Sequence, residues 1–368
     1  MLILQYLLSF LLVVSILVFF HEFGHYLAAI LCNVKVDEFS IGFGKTIFKK
    51  RSKSGTYWYV KLLPIGGYVK LHGDEEGSSF NVKQQSKHIF SSGKGNTLED
   101  KNHFVKIFIS IAGSLANYLL AIIVFFFGFY VFGKKHNPTN IISFINNKAP
   151  AAVAGLKVGD KITGVNDRMI TDIAELNRQV NLTQSKPIKI SFCRNKKTKT
   201  VIVKPMLAKE LDNSFNKQPY RYLLGMQTAP VEAKKVNIST AFKLSIGRVV
   251  SLTKDSFLVI WEILKRDRNA NDLGGPIVIA KHSGIAMQSG FSAIVFFLGV
   301  LSVGLGFFNL LPIPLLDGGQ ALFYVIELLI ARPLPIIFYK AFQIIGVIFI
   351  SLITMLVLLN DILSTFIR

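Results

Sequence analysis

The residues with the clearest chemical potential form a short cluster near the start of the chain, His21-Glu22-Phe23-Gly24-His25. On a helix, residues four apart lie one turn apart on the same face, so His21 and His25 can reach one metal ion. Glu22 lies beside that position and is a suitable group to accept a proton from a metal-bound water. The spacing therefore predicts a metal site with an adjacent general base.

The stretch that carries this cluster is apolar. Residues 1–20 contain no charged side chain, and at about 1.5 Å per residue their length suits the ~30 Å hydrocarbon core of a bilayer. Ionisable groups at the end of such a segment are costly to bury, and function is the usual reason for their presence. Two buried histidines without a metal are the alternative, but Glu22 would then be an unpaired buried charge.

A metalloprotease-type site needs a third ligand from elsewhere in the chain. Asp317 follows a segment with two prolines, Pro312 and Pro314, and precedes Gly318-Gly319, so it lies at a helix break beside apolar residues. A carboxylate there is costly unless it is paired or bound to a metal. A role as the N-cap of the next helix is the alternative.

Composition indicates a polytopic membrane protein that carries a polar domain. Hydrophobic residues make up 51% of the 368 residues and charged residues only 17%. The formal net charge of +20 could suggest nucleic-acid binding, but no helix-turn-helix or zinc-finger pattern accompanies it. Attraction to anionic lipid is the simpler explanation, and no nucleic-acid partner is expected. Cys32 and Cys193 are far apart and predict no disulfide framework.

The alternation of apolar and polar stretches divides the chain into successive parts. We expect a first span over 1–32, β-hairpins and a polar loop over 33–103, a second span over 104–133, a polar insert over 134–235, an amphipathic helical region over 236–288, a third span over 289–319, and a turn with a fourth span over 320–368. The amphipathic region is too charged to span and is expected to lie on the membrane surface or to brace the soluble domain.

Short alternating strands follow the first span. Aromatic and β-branched residues bounded by glycines predict hairpins, with a basic turn over 49–55. Gly66-Gly67 indicates a bulge or the close approach of another backbone. An ordinary small sheet and a substrate-facing edge strand both remain open. In the second span, Asn117 either supports helix packing or contacts the active site.

The polar insert contains a recognisable pattern over 149–166: a small helix, a glycine stop, a Gly-Asp turn and a strand. This pattern resembles a PDZ domain of the permuted bacterial kind found in membrane and periplasmic proteases. Further strands are expected over 188–193 and 200–203. A domain of this kind binds extended chain ends by strand addition, so a peptide or a chain terminus is an expected partner.

The H-E-x-x-H cluster, Leu316-Asp317-Gly318 and the PDZ-like insert together resemble the site-2 proteases, the M50 family of intramembrane zinc metalloproteases, and in particular the regulator-of-sigma-E type. The resemblance implies that His21, His25 and Asp317 bind Zn²⁺ and that Glu22 is the catalytic general base. The family's A-G-P-x-x-N pattern has Ser114 in place of proline here. The resemblance also implies a set of substrate-binding residues: Asn309, Gly66, Gly67, Tyr68 and Val69.

The implied fold is a polytopic α-helical membrane protein of about four transmembrane helices, with a membrane-associated β-hairpin region and one inserted PDZ-like α+β domain. The implied activity is that of a metalloendopeptidase (EC 3.4.24.-) that cuts within the membrane. Its substrates would be single-span membrane proteins, such as an anti-sigma factor, or remnant signal peptides. The alternative function is a catalytically silent scaffold that binds chain termini.

The resemblance also implies a location. The chain would lie in the bacterial inner membrane as a multi-pass protein, in contact with the lipid bilayer. Its active site would lie near the cytoplasmic side, with the PDZ-like domain on the periplasmic side. The insert is basic, which the positive-inside rule disfavours on that side, but the rule applies mainly to short loops.

Overall fold

A computed structural model describes most of the chain, and the parts it describes fall into two compact units. The described residues are 2–72, 96–135, 140–146, 149–166, 168–170, 176, 179–180, 186–208, 211–212, 216–217, 221–228, 233–265 and 274–363. The first unit covers the described residues up to 130 and those of 237–361, and the second covers those of 131–236. Residues 73–95 of the predicted polar loop lie outside the described residues.

All described helices except α3, which belongs to the second unit, lie wholly or mainly in the first unit. In chain order they are α1 (Leu2–Leu31), α2 (His103–Phe132), α3 (Pro150–Val153), α4 (Ile238–Leu264), α5 (Pro276–Gln288), α6 (Phe291–Asn309), α7 (Asp317–Ile330) and α8 (Ile336–Ile362). By length and composition, α1, α2, α6 and α8 are apolar enough to cross a bilayer. The prediction of four such helices is therefore confirmed.

The strands fall into one hairpin of the first unit and several short sheets of the second. They are β1 (Val36–Arg51), β2 (Tyr57–Leu71), β3 (Lys134–Lys135), β4 (Ile142–Ile145), β5 (Lys161–Val165), β6 (Arg168–Met169), β7 (Ile188–Arg194), β8 (Lys197–Val203), β9 (Met206–Ala208), β10 (Leu211–Asp212), β11 (Asn216–Lys217), β12 (Arg221–Leu223), β13 (Met226–Thr228) and β14 (Ala233–Lys234).

The β1–β2 hairpin is strongly bent, and its two strands pair with each other in more than one place. The segment 38–41 of β1 lies between 57–60 and 67–70 of β2, while 49–51 pair with 57–59. Residues 67–71 therefore form one edge of this small sheet. On the α1 side, the Phe39 ring lies 4.3 Å from Trp58 and 6.1 Å from Phe19, centroid to centroid. Aromatic packing thus fixes the hairpin against the helix that carries the histidines.

The basic turn predicted over 49–55 is wrong in extent. Lys49, Lys50 and Arg51 belong to β1, and the chain reverses over 52–56. The physical reason lies in the partner strand, because Lys49 Nζ lies 4.4 Å from the centre of the Tyr57 ring and 5.1 Å from that of Tyr59. Cations over tyrosine faces are compatible with a strand, whereas the sequence pattern alone favoured a loop.

The amphipathic helix α4 packs within the helical unit. Val249 is buried with Ala121 and Phe125 of α2 and Val303 of α6. The Thr253 hydroxyl also donates to the Tyr118 hydroxyl oxygen at 3.4 Å. The observed partners of α4 are thus two apolar helices, which neither of the two placements suggested by the sequence anticipated.

The second unit is built around an antiparallel sheet with the strand order β6-β5-β7-β8. Ile162, Ile188, Ile190 and Phe192 from the alternate positions of β5 and β7 form its core. Asp160, at the start of β5, accepts two hydrogen bonds of 2.7 Å from Arg194. Strands and a small helix occur where the PDZ-like pattern predicted them, and the PDZ assignment itself stays a prediction.

Candidate active site

Three predicted residues that are distant in sequence converge at one point of the helical unit. His21 Nε2 lies 3.3 Å from His25 Nε2. Asp317 Oδ2 lies 3.5 Å from His21 Nε2, and Asp317 Oδ1 lies 3.5 Å from His25 Nε2. Among the described residues, this is the one group of histidine, cysteine and acidic side chains arranged to hold a metal ion.

These separations fit a tetrahedral zinc site. With Zn–N and Zn–O bonds of about 2.0–2.2 Å, tetrahedral angles place neighbouring ligand atoms about 3.3–3.6 Å apart. The two imidazole nitrogens lie within that range of each other, and each lies within it of a different oxygen of Asp317. One ligand atom from each of the three residues can be chosen so that all lie within 4.8 Å of one another. Two imidazoles and a carboxylate are also the usual protein ligands of catalytic zinc, which keeps one coordination position open. The residues present therefore fit Zn²⁺.

The two imidazoles fit between the closely packed helices α1 and α2 because position 113 of α2 has no side chain. Gly113 of α2 lies against both rings, because a Cβ at that position would lie 2.7 Å from His25 Cδ2 and 2.8 Å from His21 Cε1. Gly24, between the histidines, similarly lies against the backbone of Ala112. The small residues of the second span thus serve the site as well as helix packing.

The outer nitrogen of each histidine has a polar neighbour. His25 Nδ1 lies 2.8 Å from the carbonyl oxygen of Ile109, which can only accept a hydrogen bond. Nδ1 therefore carries the proton, and the lone pair of Nε2 points to the metal position. His21 Nδ1 lies 3.1 Å from the side-chain amide nitrogen Nδ2 of Asn117, a fully buried residue. Of the two roles open for Asn117, contact with the site is observed.

Asp317 lies at the start of α7, and a hydrogen bond from α2 orients its side chain. It is the first residue of α7, and Leu316 occupies the N-cap position without a side-chain hydrogen bond, so the N-cap alternative for Asp317 is wrong. The buried Ser114 hydroxyl donates to Asp317 Oδ2 at 2.8 Å. This bond orients the carboxylate so that each of its oxygens faces one histidine.

Glu22 lies next to the edge of the hairpin. A Cβ at position 67 would lie 2.9 Å from Glu22 Cγ, 3.2 Å from Val18 Cγ1 and 2.6 Å from the backbone oxygen of Ser40. Only glycine allows the edge strand to come this close to α1. The close approach predicted at Gly66-Gly67 is therefore observed at Gly67, and it brings the edge strand beside Glu22.

The other predicted substrate-binding residues have different surroundings. Tyr68 donates a 2.7 Å hydrogen bond to Glu38, and burial together with this bond raises the pKa of Tyr68. Val69 packs against the buried cluster around Ala28 and Val36. Asn309 is the half-buried last residue of α6. Among the described residues, Asn309 makes no hydrogen bond to the three candidate ligands, and no further strand pairs with the outer side of 67–71.

Sequence reasoning missed the role of Ser114. In the sequence, Ser114 was noted only as the residue that replaces a proline of the family pattern. Its hydroxyl lies three residues before Asn117 on the same helical face, and this spacing could have indicated a second polar contact. The backbone oxygen of Ile109 left no signal, because any residue type provides a carbonyl. Both contacts depend on how α2 lies against α1 and α7.

Comparisons with known proteins identify the family of the chain. The sequence profile of peptidase family M50 matches residues 9–353. A protein of Rickettsia conorii that is provisionally named a zinc metalloprotease is 34% identical over 323 residues, which cover 87% of each chain. The metalloprotease MmpA of Caulobacter vibrioides is 32% identical over 358 residues, which cover 91% of this chain and 89% of the relative.

One solved structure is a distant match to part of the chain. A PDZ domain of an SdrC-like protein from Listeria monocytogenes covers 26% of this chain and 93% of its own, at 16% identity and a TM-score of 0.21. That score is too low to define the fold of the insert. The ligand set that fits zinc and the profile over nearly the whole chain lead to one conclusion: the chain belongs to peptidase family M50, whose metal is Zn²⁺.

Proposed function

We propose that this chain is an intramembrane zinc metalloendopeptidase that hydrolyses peptide bonds within transmembrane segments. The observation that carries the proposal is the meeting of three elements at one place. Two histidines of an apolar helix and Asp317 at the start of α7 form the ligand set, and the edge of a small sheet lies beside Glu22, the residue that follows His21. A silent scaffold has no need of a ligand set with zinc-like spacing beside an open strand edge.

His21, His25 and Asp317 would hold the metal. Zn²⁺ bound there would supply a Lewis acid for the scissile carbonyl and would lower the pKa of the attacking water to about 7. Since His21 would bind through Nε2, its Nδ1 would carry the proton and need an acceptor. The atom of Asn117 that faces Nδ1 is Nδ2, and the buried Oδ1 has no hydrogen-bond partner among the described residues. We infer that the carboxamide adopts the orientation with its two atoms exchanged, which gives Nδ1 its acceptor and Oδ1 its donor.

Glu22 carries out the proton transfers. It accepts the proton that the attacking water loses and delivers it to the amide nitrogen as the peptide bond breaks. The products are a new carboxyl group and a new amine, and Glu22 returns to its starting state. The interval between Glu22 and the edge strand is narrow because position 67 has no side chain.

The substrate would bind in extended form along 67–70 of β2. A transmembrane helix has every backbone group paired, so it must unwind locally before its carbonyl can be attacked. The outer edge of β2 can then replace the lost hydrogen bonds by strand addition. Gly66, Gly67, Tyr68 and Val69 lie on this edge, and Asn309 would hold the substrate backbone from the end of α6.

The proposed location follows from the apolar helices and the family. The four helices α1, α2, α6 and α8 would cross the bacterial inner membrane, with the active site near the cytoplasmic side and the strand-rich unit on the periplasmic side. That unit, if PDZ-like, would bind a chain terminus of the substrate. Substrates would be single-span membrane proteins, such as an anti-sigma factor, or remnant signal peptides.

The proposal can be tested in nanodiscs with a single-span model substrate. We expect wild type to bind one zinc and to cleave, Glu22→Gln to keep the zinc and lose cleavage, and Glu99→Gln to behave as wild type, since Glu99 is exposed and remote in sequence from the ligands. Zinc in wild type without cleavage of any offered transmembrane segment would favour the scaffold. Absence of zinc from wild type would overturn the metal assignment.

A further inference from the structure

The β1–β2 hairpin is amphipathic along its length. Lys49, Lys50, Arg51 and Lys53 are exposed and occupy one end, which we call the basic end. Large apolar side chains are exposed toward the other end, namely Phe43 (46%), Ile47 (65%), Leu62 (59%) and Leu63 (51%). Apolar side chains outnumber the two lysines of that end, the exposed Lys45 and the half-buried Lys61. Exposed apolar and basic groups therefore occupy successive levels of one small sheet, as they do in segments that enter a membrane surface.

The strand pairings fix the level of each end relative to α1. Val36 is buried beside Ala28 and Ala29, close to the end of α1. Farther along β1, Ile41 pairs with Gly67, which lies against Val18 near the middle of the same helix. The sheet therefore runs from the end of α1 toward its middle as β1 advances from 36 to 41.

The basic end lies at the level of the end of α1. Arg51 pairs with Tyr57, and Tyr57 pairs with Glu38, two residues after Val36. By contrast, Thr46 pairs with Lys61 and Phe43 pairs with Leu63, beyond the level of Ile41. The apolar end thus lies beside the middle of an apolar helix, and the basic end lies where that helix ends.

The cations of the basic end are available to an anion. Lys49 and Arg51 project on the same face as Tyr57 and Tyr59, and Arg51 Cζ lies 5.2 Å from the centre of the Tyr57 ring. Stacking on tyrosine leaves the outer N–H groups free to donate. Among the described residues, no carboxylate lies within ion-pair distance of Lys49, Lys50, Arg51 or Lys53.

We propose that the basic end of the hairpin binds the phosphate headgroups of anionic phospholipids. The order of apolar and basic levels along the sheet matches the order of acyl chains and headgroups in a bilayer, whereas an acidic peptide in solution would leave the apolar end exposed. The inference depends on the proposed membrane location of α1. Headgroup binding would fix the depth of β2 and hence the position of its edge beside Glu22.

The test uses full-length protein in phosphatidylcholine nanodiscs with increasing fractions of phosphatidylglycerol. The chain has two tryptophans, Trp58 in the hairpin and Trp261 on α4, so a Trp261→Phe background makes fluorescence report on Trp58. Acyl-brominated phosphatidylglycerol or phosphatidylcholine then quenches Trp58 by contact. The variant is Lys49→Gln with Arg51→Gln. The control is Lys197→Gln with Lys199→Gln, which removes the same charge from alternate exposed positions of β8.

We expect brominated phosphatidylglycerol to quench Trp58 more strongly than brominated phosphatidylcholine at equal mole fraction, and 0.5 M NaCl to remove the difference. In the variant, the half-saturating fraction of phosphatidylglycerol should rise at least tenfold, from about fivefold for each basic residue lost, while the control should match wild type. Equal quenching by both lipids in wild type would overturn the proposal. An unchanged half-saturating fraction of phosphatidylglycerol in the variant would also overturn it. So would loss of the preference for phosphatidylglycerol when an acidic substrate peptide is added at a fixed lipid fraction.

If the variant does not fold, the salt dependence in the tryptophan background alone still decides. Zinc content is measured in parallel, because the lipid preference of Trp58 does not require a loaded metal site. Loss of zinc binding with the lipid preference intact would refute the proposed enzyme and leave this inference standing. Zinc binding without the lipid preference would refute only this inference.

Discussion

Replacing Ser114 by alanine should weaken zinc binding without unfolding the helical unit. The Ser114 hydroxyl donates to Asp317 Oδ2 at 2.8 Å, and its side chain is fully buried. Because the side chain is buried, Asp317 Oδ2 would lose this hydrogen bond when the hydroxyl is removed. A hydrogen bond to a charged group contributes about 1.5–3 kcal/mol. At about 1.4 kcal/mol per factor of ten, zinc affinity should fall about 10- to 150-fold.

The range agrees with the 10- to 100-fold loss that is typical when an outer partner of a metal ligand is removed. Zinc affinity would be measured by competition with a fluorescent chelator in detergent. The matched control is Ser110→Ala, which removes a buried hydroxyl one turn earlier on the same helix. We expect the control to bind zinc as wild type does.

Thermal unfolding of the zinc-free proteins separates positioning from stability. If Ser114 only orients Asp317, the zinc-free variant and control should unfold within a few degrees of each other. Equal zinc affinities for wild type and Ser114→Ala would refute the reasoning, because the hydroxyl would then have no influence on the ligand that it contacts. No zinc binding by wild type would instead refute the site itself.

Three further predictions concern other parts of the structure. Gly67→Ala should lower kcat/KM by about 10- to 100-fold with zinc content unchanged, since the new Cβ meets Glu22 and pushes the edge strand away. Burial would raise the pKa of Asp160, but the hydrogen bonds from Arg194 outweigh burial and lower the pKa. The ionised Asp160 therefore stabilises wild type above about pH 4, and this stabilisation is lost as the pH falls below that value. Asp160→Asn should remove it. Asp361→Ala should lower the unfolding temperature, because the buried carboxylate accepts three N–H groups at the start of α5, a cap worth about 1–2 kcal/mol.

Each of these has a control and a contrary result. Gly247→Ala, at an exposed position of α4 where an added Cβ meets no other atom, should leave kcat/KM unchanged; normal cleavage by Gly67→Ala would mean that the edge strand does not hold the substrate. For Asp160, labelling of Cys193 by a pyridyl disulfide that reacts in acid reports opening of β7, and an identical pH dependence in Asp160→Asn would contradict the ion-pair argument. For Asp361, the exposed Asp255→Ala is the control, and equal melting would show that the cap adds nothing.

Much of the architecture was predictable because its signals are local. Four apolar helices follow from runs of residues that are long enough and apolar enough, and the bounds of α2 differ from those expected by one residue at each end. The turn expected before the fourth span is wrong, because α7 extends to Ile330. The strands β7 and β8 also follow from alternation and their flanking residues. The basic residues 49–51 were wrongly predicted to lie in a turn, because the tyrosine rings that accommodate them are on another strand.

The sequence alone determined the chemistry that is available. Helical periodicity places His21 and His25 on one face with Glu22 beside them, whatever the rest of the chain does. Only the tertiary structure decided that Asp317 meets them at 3.5 Å and that Ser114 and Asn117 hold the ligands from α2. Contacts across about two hundred residues of sequence depend on helix packing, which no local pattern encodes, and it is this packing that turns separate polar residues into one site.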